Sequence, residues 1–86
     1  MSDPYWNDDW REELQSDDYD AWERLCDCRN TKSDMRKIAQ LIYKYNRSKG
    51  KEECLYRAIE WITDWNNQYN LDPTQEEFDE MLNSMN

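Results

Sequence analysis

Residues 51–69 read KEECLYRAIEWITDWNNQY, and the spacing of their apolar side chains decides the fold class. At about 100° per residue, this stretch predicts one helix with a broad apolar side and a charged side. Glu53 and Arg57 lie four residues apart in the order that stabilises a helix. The predicted apolar side holds the longest such set in the chain: Cys54, Leu55, Ala58, Ile59, Trp61, Ile62, Trp65 and Tyr69.

The residues on either side of this stretch predict two more amphipathic helices. Residues 34–47 place apolar side chains at helical spacing, behind an N-cap at Thr31 or Ser33. Thr74 and Glu77 have the three-residue spacing of a capping box, which predicts the start of the last helix. Apolar residues at helical spacing follow that box: Phe78, Met81, Leu82 and Met85.

The N-terminal third predicts two shorter helices. Residues 17–29 have an apolar side opposite an acidic one. Asp3 and Pro4 suit the N-cap and first position of a helix that continues through Trp6, Trp10 and Leu14, although the periodicity there is poor. Residues 1–16 are therefore expected either to pack with the rest or to form a loosely attached N-terminal arm.

Composition supports an all-α fold. The chain of 86 residues has no valine, one glycine and two prolines, so strong strand formers are scarce. Only 37% of residues are hydrophobic, and five Trp and six Tyr must supply much of the core. We expect residues 1–86 to form a single small domain, a compact bundle of four to five short helices.

The residue types argue against catalysis. The chain has no histidine, which is the commonest general base and metal ligand, and its single glycine excludes a glycine-rich phosphate loop. A calcium loop that begins at Asp64 would have Tyr69 at the position that requires glycine. The sequence therefore predicts neither an enzyme nor a bound cofactor.

The three cysteines are expected to be small, buried and unreactive thiols. Cys26, Cys28 and Cys54 could supply sulfur ligands to zinc. Two positions apart on a helix, however, Cys26 and Cys28 point about 200° away from each other, and we expect no metal site. Met1 opens an acidic segment rather than a signal peptide, and no apolar run is long enough for a membrane span, which predicts a cytoplasmic protein.

Charge is the feature that bears most directly on function. The formal net charge is −9, with ten acids in residues 1–28, nine in residues 52–86 and eight bases in residues 29–51. Such a surface repels nucleic acid and anionic membranes and attracts basic proteins. The bases Arg36, Lys37, Lys44 and Arg47 are expected to pair with the acidic helices or to form a solvated face rather than to read DNA.

Three rows of carboxylates are the candidate contact residues. At helical spacing their side chains lie roughly 5–6 Å apart, which approximates a row of phosphates loosely. Trp6 and Trp10 either cover the thin core from the N-terminal side or are aromatic anchors for a partner, since tryptophan often dominates binding energy. The rows are Asp20, Glu23 and Asp27; Glu53, Glu60 and Asp64; and Glu76, Glu77 and Glu80.

In size and acidity the chain resembles small acidic nucleic-acid mimics carried by phages and mobile elements, such as antirestriction and anti-CRISPR proteins. The resemblance lies in composition and size, and implies an inhibitor that blocks a basic, DNA- or RNA-handling protein. The alternative is an assembly or adaptor subunit that forms a homodimer or docks on a larger partner through apolar helix faces.

Overall fold

The computed structural model describes residues 5–85, which form five α-helices and no strand. The prediction of an all-α bundle is confirmed. The helices are α1 (Trp10–Asp17), α2 (Tyr19–Cys26), α3 (Lys32–Tyr45), α4 (Lys51–Ile59) and α5 (Gln75–Ser84). The connections include two 3₁₀ turns, Arg47–Lys49 and Tyr69–Leu71, and a π-helical turn, Glu60–Asp64.

The core lies mainly between α3 and α4, with α1 packed against α3. Trp10 and Leu14, four residues apart on α1, are both fully buried. Residues 10–16 are therefore part of the bundle and not a loose arm. The predicted helix start at Asp3 and Pro4 lies outside the described residues, and α1 begins at Trp10.

The predicted capping motifs set the starts of two helices. Thr31, not Ser33, caps α3, and its hydroxyl accepts from the Asp34 N–H while the Asp34 carboxylate accepts from the Thr31 N–H. Thr74 and Glu77 form the same reciprocal pair at α5, as predicted. Each box satisfies backbone donors that the first helical turn leaves without a partner.

The predicted long helix over residues 51–69 is interrupted. Regular α-helix ends at Ile59, and the next turn widens, so that the Trp65 N–H donates to the Glu60 carbonyl at 3.1 Å. The buried Thr63 hydroxyl donates to the Ile59 carbonyl at 2.7 Å and competes for that helical acceptor. Asn67 then takes a positive φ of 59°, which ends the helical path.

Candidate protein-binding surface

The structure separates the three carboxylates of the first candidate row. Asp20 and Glu23 are exposed on α2, three positions apart, and form no ion pair within residues 5–85. Asp27 lies just past the last turn, at the C-cap, where its carboxylate pairs with Arg29 at 3.1 Å. We call Asp20 and Glu23 the α2 carboxylate pair.

In each of the other two rows of carboxylates, one member forms an ion pair with a base of the same chain. The Glu60 carboxylate accepts from Arg57 at 3.3 Å. Glu77 binds Lys32 and caps α5, and these contacts hold the pKa of Glu77 below its usual value. Glu80 lines a groove that also contains Lys32 and Arg36. The α5 row is therefore partly neutralised and does not form a uniformly acidic surface.

Six of the nine candidate carboxylates remain without an ion pair among the described residues. All six are exposed, so their charge faces water in the isolated chain. They are Asp20, Glu23, Glu53, Asp64, Glu76 and Glu80.

Of the four bases predicted either to pair or to form a solvated face, Lys37 and Lys44 form ion pairs, whereas Arg36 and Arg47 are exposed and form none among residues 5–85. Lys37 binds Asp18, and Lys44 binds Glu13 at 2.8 Å. The Tyr45 hydroxyl also donates to Glu13 at 2.6 Å. The bonds from Lys44 and Tyr45 lower the pKa of Glu13. These pairs fasten α1 and the start of α2 to α3 and remove much of the positive charge of the basic segment.

One ion pair is more buried than the others. The Arg24 guanidinium binds both oxygens of Asp34 at 2.8 Å, and the Asp34 side chain is only 5% exposed. Burial alone would raise the pKa of Asp34, but Arg24 and the Thr31 N–H outweigh it, so the pKa lies below its usual value. Arg24 thus joins α2 to the capping box of α3, a structural role.

The predicted anchor Trp10 is wrong as a contact residue. Its ring is 0% exposed and packs edge-on against Trp61, with 5.7 Å between ring centroids. Trp6 is half-buried, and the chain's own Arg57 and Lys49 lie over its ring at 5.0 and 5.1 Å. Neither ring is presented openly to a partner.

Trp65 is exposed, although the sequence pattern placed it on the apolar side of the helix predicted over residues 51–69. Trp65 is 61% exposed and stacks on Trp61 with a centroid distance of 4.9 Å and an interplanar angle of 22°. Tyr69, also assigned to that side, is exposed as well. The signal that was missed is the pair Asn66–Asn67, because asparagine tolerates the left-handed backbone that stops a helix.

The cysteine prediction fails in part. Cys54 is buried, and burial raises its pKa to about 11, but Cys26 at the end of α2 and Cys28 just after it are exposed. Within residues 5–85, no group of three or more side chains of the histidine, cysteine, aspartate and glutamate types could hold a metal ion.

None of the helices in the described part of the chain is long and apolar enough to cross a bilayer. Comparisons with protein-family models, with curated proteins and with solved structures found no match to this chain. Function is therefore inferred from the surface chemistry of the chain alone. That chemistry is suited to electrostatic binding of a cationic surface.

Proposed function

We propose that this chain is a non-enzymatic, cytoplasmic protein-binding module that mimics nucleic acid and blocks a basic protein that handles DNA or RNA. The observation that carries the proposal is that several bases are neutralised by ion pairs while many carboxylates are not. Bases such as Lys37, Lys44 and Arg24 are engaged in ion pairs within the bundle, whereas the α2 carboxylate pair is exposed and forms no ion pair among residues 5–85.

Electrostatics explains how such a surface would act. A lysine- and arginine-lined channel that normally holds phosphates attracts the exposed carboxylates and is steered toward them over about a Debye length, ~10 Å at 0.1 M salt. The chain carries a net charge of −9, so it and DNA would compete for one channel rather than bind each other. Binding of this kind weakens as salt is added.

The test is capture from a cell lysate by the immobilised chain, at low and high salt, with and without duplex DNA. Asp20→Lys with Glu23→Lys reverses the α2 carboxylate pair. Glu52→Lys with Asp72→Lys is the matched control, because it makes the same change of net charge at two other exposed positions.

Recovery of a nucleic-acid-binding protein that is lost with salt, with DNA and with the α2 reversal, but retained by the control, is the expected result. Equal loss with both double variants would mean that only net charge matters. A partner that resists salt and ignores DNA would contradict the proposal.

The second candidate function is an assembly or adaptor subunit, and exposed aromatic residues favour it. Trp65, Tyr69 and Tyr56 are more than half exposed on α4 and the segment after it. A subunit that buries them would form a salt-resistant oligomer. Sedimentation of the chain at several protein concentrations, in 50 mM and in 500 mM salt, distinguishes the two functions. A mimic remains the same small species throughout, whereas an assembly subunit associates as its concentration increases, at both salt concentrations.

A further inference from the structure

Three tryptophans form a stack that runs from the core to the surface. Trp10 is fully buried, Trp61 is half-buried against it, and Trp65 lies on Trp61 with most of its surface in water. The outer ring is thus held by a ring that is itself fixed on the core. Such preorganisation lowers the entropic cost of binding a ligand at Trp65.

Several other aromatic rings of this chain have a lysine or arginine side chain lying over them. The distances from the charged group to the ring centroid are 5.0–5.7 Å, within the range of a cation–π contact. No cation lies over Trp65 within residues 5–85, although it is the most exposed tryptophan described. The occupied rings are Trp61 (Arg11), Tyr45 (Lys44), Tyr43 (Arg47) and Trp6 (Lys49 and Arg57).

The charges beside Trp65 favour a cation there. Asp64 precedes it in the π-helical turn, is exposed, and has no ion pair among the described residues. Glu60 belongs to the same turn, but its carboxylate already pairs with Arg57, so Asp64 supplies the negative charge that remains there. A guanidinium over the ring can pair with a neighbouring carboxylate at the same time, because its planar fork both stacks and donates.

We propose that Trp65, with Asp64, is the docking point for an arginine side chain of the basic partner. This deepens the proposed function and rests on it. Arginine fits better than lysine, since its guanidinium stacks on aromatic rings and is less strongly hydrated. A nucleobase would bring phosphates toward a chain of net charge −9, and a second copy would bring an equal negative charge.

The test compares two pentapeptides of equal charge, one of five lysines and one with arginine at the centre. Both are titrated into the isotope-labelled chain while the tryptophan indole N–H signals are followed by NMR. The variants are Trp65→Leu, which keeps apolar bulk without a ring, and Trp65→Tyr, which keeps a ring. Tyr19→Leu is the control, because Tyr19 is an exposed aromatic next to the α2 carboxylate pair.

The intact chain is expected to bind the arginine peptide roughly two- to fivefold more tightly than the lysine peptide. Trp65→Leu removes that preference, and Trp65→Tyr and Tyr19→Leu keep all or part of it. A preference that survives in Trp65→Leu, or none in the intact chain, overturns arginine docking. Circular dichroism checks each variant, and Trp65→Tyr keeps the test usable if the leucine variant unfolds.

Failure of this inference is distinguishable from failure of the proposed function. If Asp20→Lys with Glu23→Lys weakens both peptides equally and Trp65 has no effect, the acidic module stands without the arginine site. If that reversal weakens neither peptide, the electrostatic function loses its support as well. If Trp65 binds oligothymidylate, or if the chain dimerises and Trp65→Leu abolishes the dimer, then Trp65 contacts a nucleobase or a second copy rather than an arginine. Either result would overturn the proposal.

Discussion

Trp10 and Trp65 have the same side chain and opposite surroundings, which shows how much position outweighs residue type. Trp10 lies at the start of α1 and is enclosed by the core, whereas Trp65 follows the π-helical turn, stacks on Trp61 and is mostly exposed. For Trp10 the sequence left a core role and a contact role open, whereas Trp65 was assigned to the apolar side of a continuous helix. Periodicity reports the direction of a side chain along a continuous helix, and it fails once the helix widens or stops.

Removal of these two rings is expected to have unequal effects on stability. Trp10→Ala leaves a cavity in the core and should lower the free energy of unfolding by about 3–5 kcal/mol, enough to unfold a small domain. Trp65→Ala should cost less than about 1 kcal/mol, because most of its ring already faces water. Urea denaturation of both variants is the measurement, and similar losses would contradict the stack described.

The ion pair of Arg24 with Asp34 predicts how stability depends on pH. A carboxylate whose pKa is lower in the folded chain stabilises it above the unfolded pKa, about 4, and that stability is lost as the pH falls through the folded pKa. Asp34→Asn should therefore cost about 2 kcal/mol at pH 7 and progressively less below pH 4. Urea midpoints from pH 2 to 7 test this, and a loss independent of pH would assign the effect to packing.

The three cysteine thiols are expected to differ in reactivity, because one is buried and two are exposed. Cys26 and Cys28 are exposed and should react with a thiol reagent at pH 8 in the folded chain. Cys54 should react only after unfolding, since it is buried and its pKa is raised to about 11. The number of thiols that react before and after addition of denaturant is the readout, and three reactive thiols in the folded chain would contradict the packing of α4.

At the scale of the elements, the starts of α3 and α5 were predictable, whereas the start of α1 and the interruption of the helix predicted over residues 51–69 were not. The capping box of Thr74 and Glu77 was predicted from its spacing and forms, whereas Thr31 was one of two candidate caps for α3 and its box with Asp34 emerged only from the structure. The wide turn after α4 contains the buried Thr63, whose hydroxyl donates to the Ile59 carbonyl, and the helical path stops at Asn67. A threonine hydroxyl that bonds to the carbonyl four residues earlier often bends a helix, but a threonine in a helix can also point to solvent, so its presence in the sequence did not by itself indicate the wide turn.

The cap of α3 provides a test at this scale. Thr31→Ala removes a hydroxyl that accepts a backbone N–H and should lower stability by about 1 kcal/mol. Ser33→Ala is the matched control, because Ser33 is exposed on the same turn and is not the cap. Thermal unfolding of the two variants should differ by several degrees, and equal midpoints would contradict the assignment of the cap.

For the whole molecule, the sequence predicted the sign and size of the charge but not which charges remain unpaired. Lys32 and Glu77 are 45 residues apart, and Lys44 and Glu13 are 31 apart, so these pairs exist only because the bundle brings the helices together. The same folding leaves Asp20, Glu23 and Asp64 without an ion pair in the part of the chain that the structure describes. Candidate carboxylates could therefore be named from sequence, and only the fold separates structural ones from available ones.

The most direct test of the central claim uses the purified captured partner with fluorescent duplex DNA bound to it. Addition of the intact chain should displace the DNA, with less effect as salt increases. Asp20→Lys with Glu23→Lys should fail to displace it, whereas Glu52→Lys with Asp72→Lys should still do so. A complex in which the partner holds the chain and the DNA together would contradict the account of this protein as an acidic mimic.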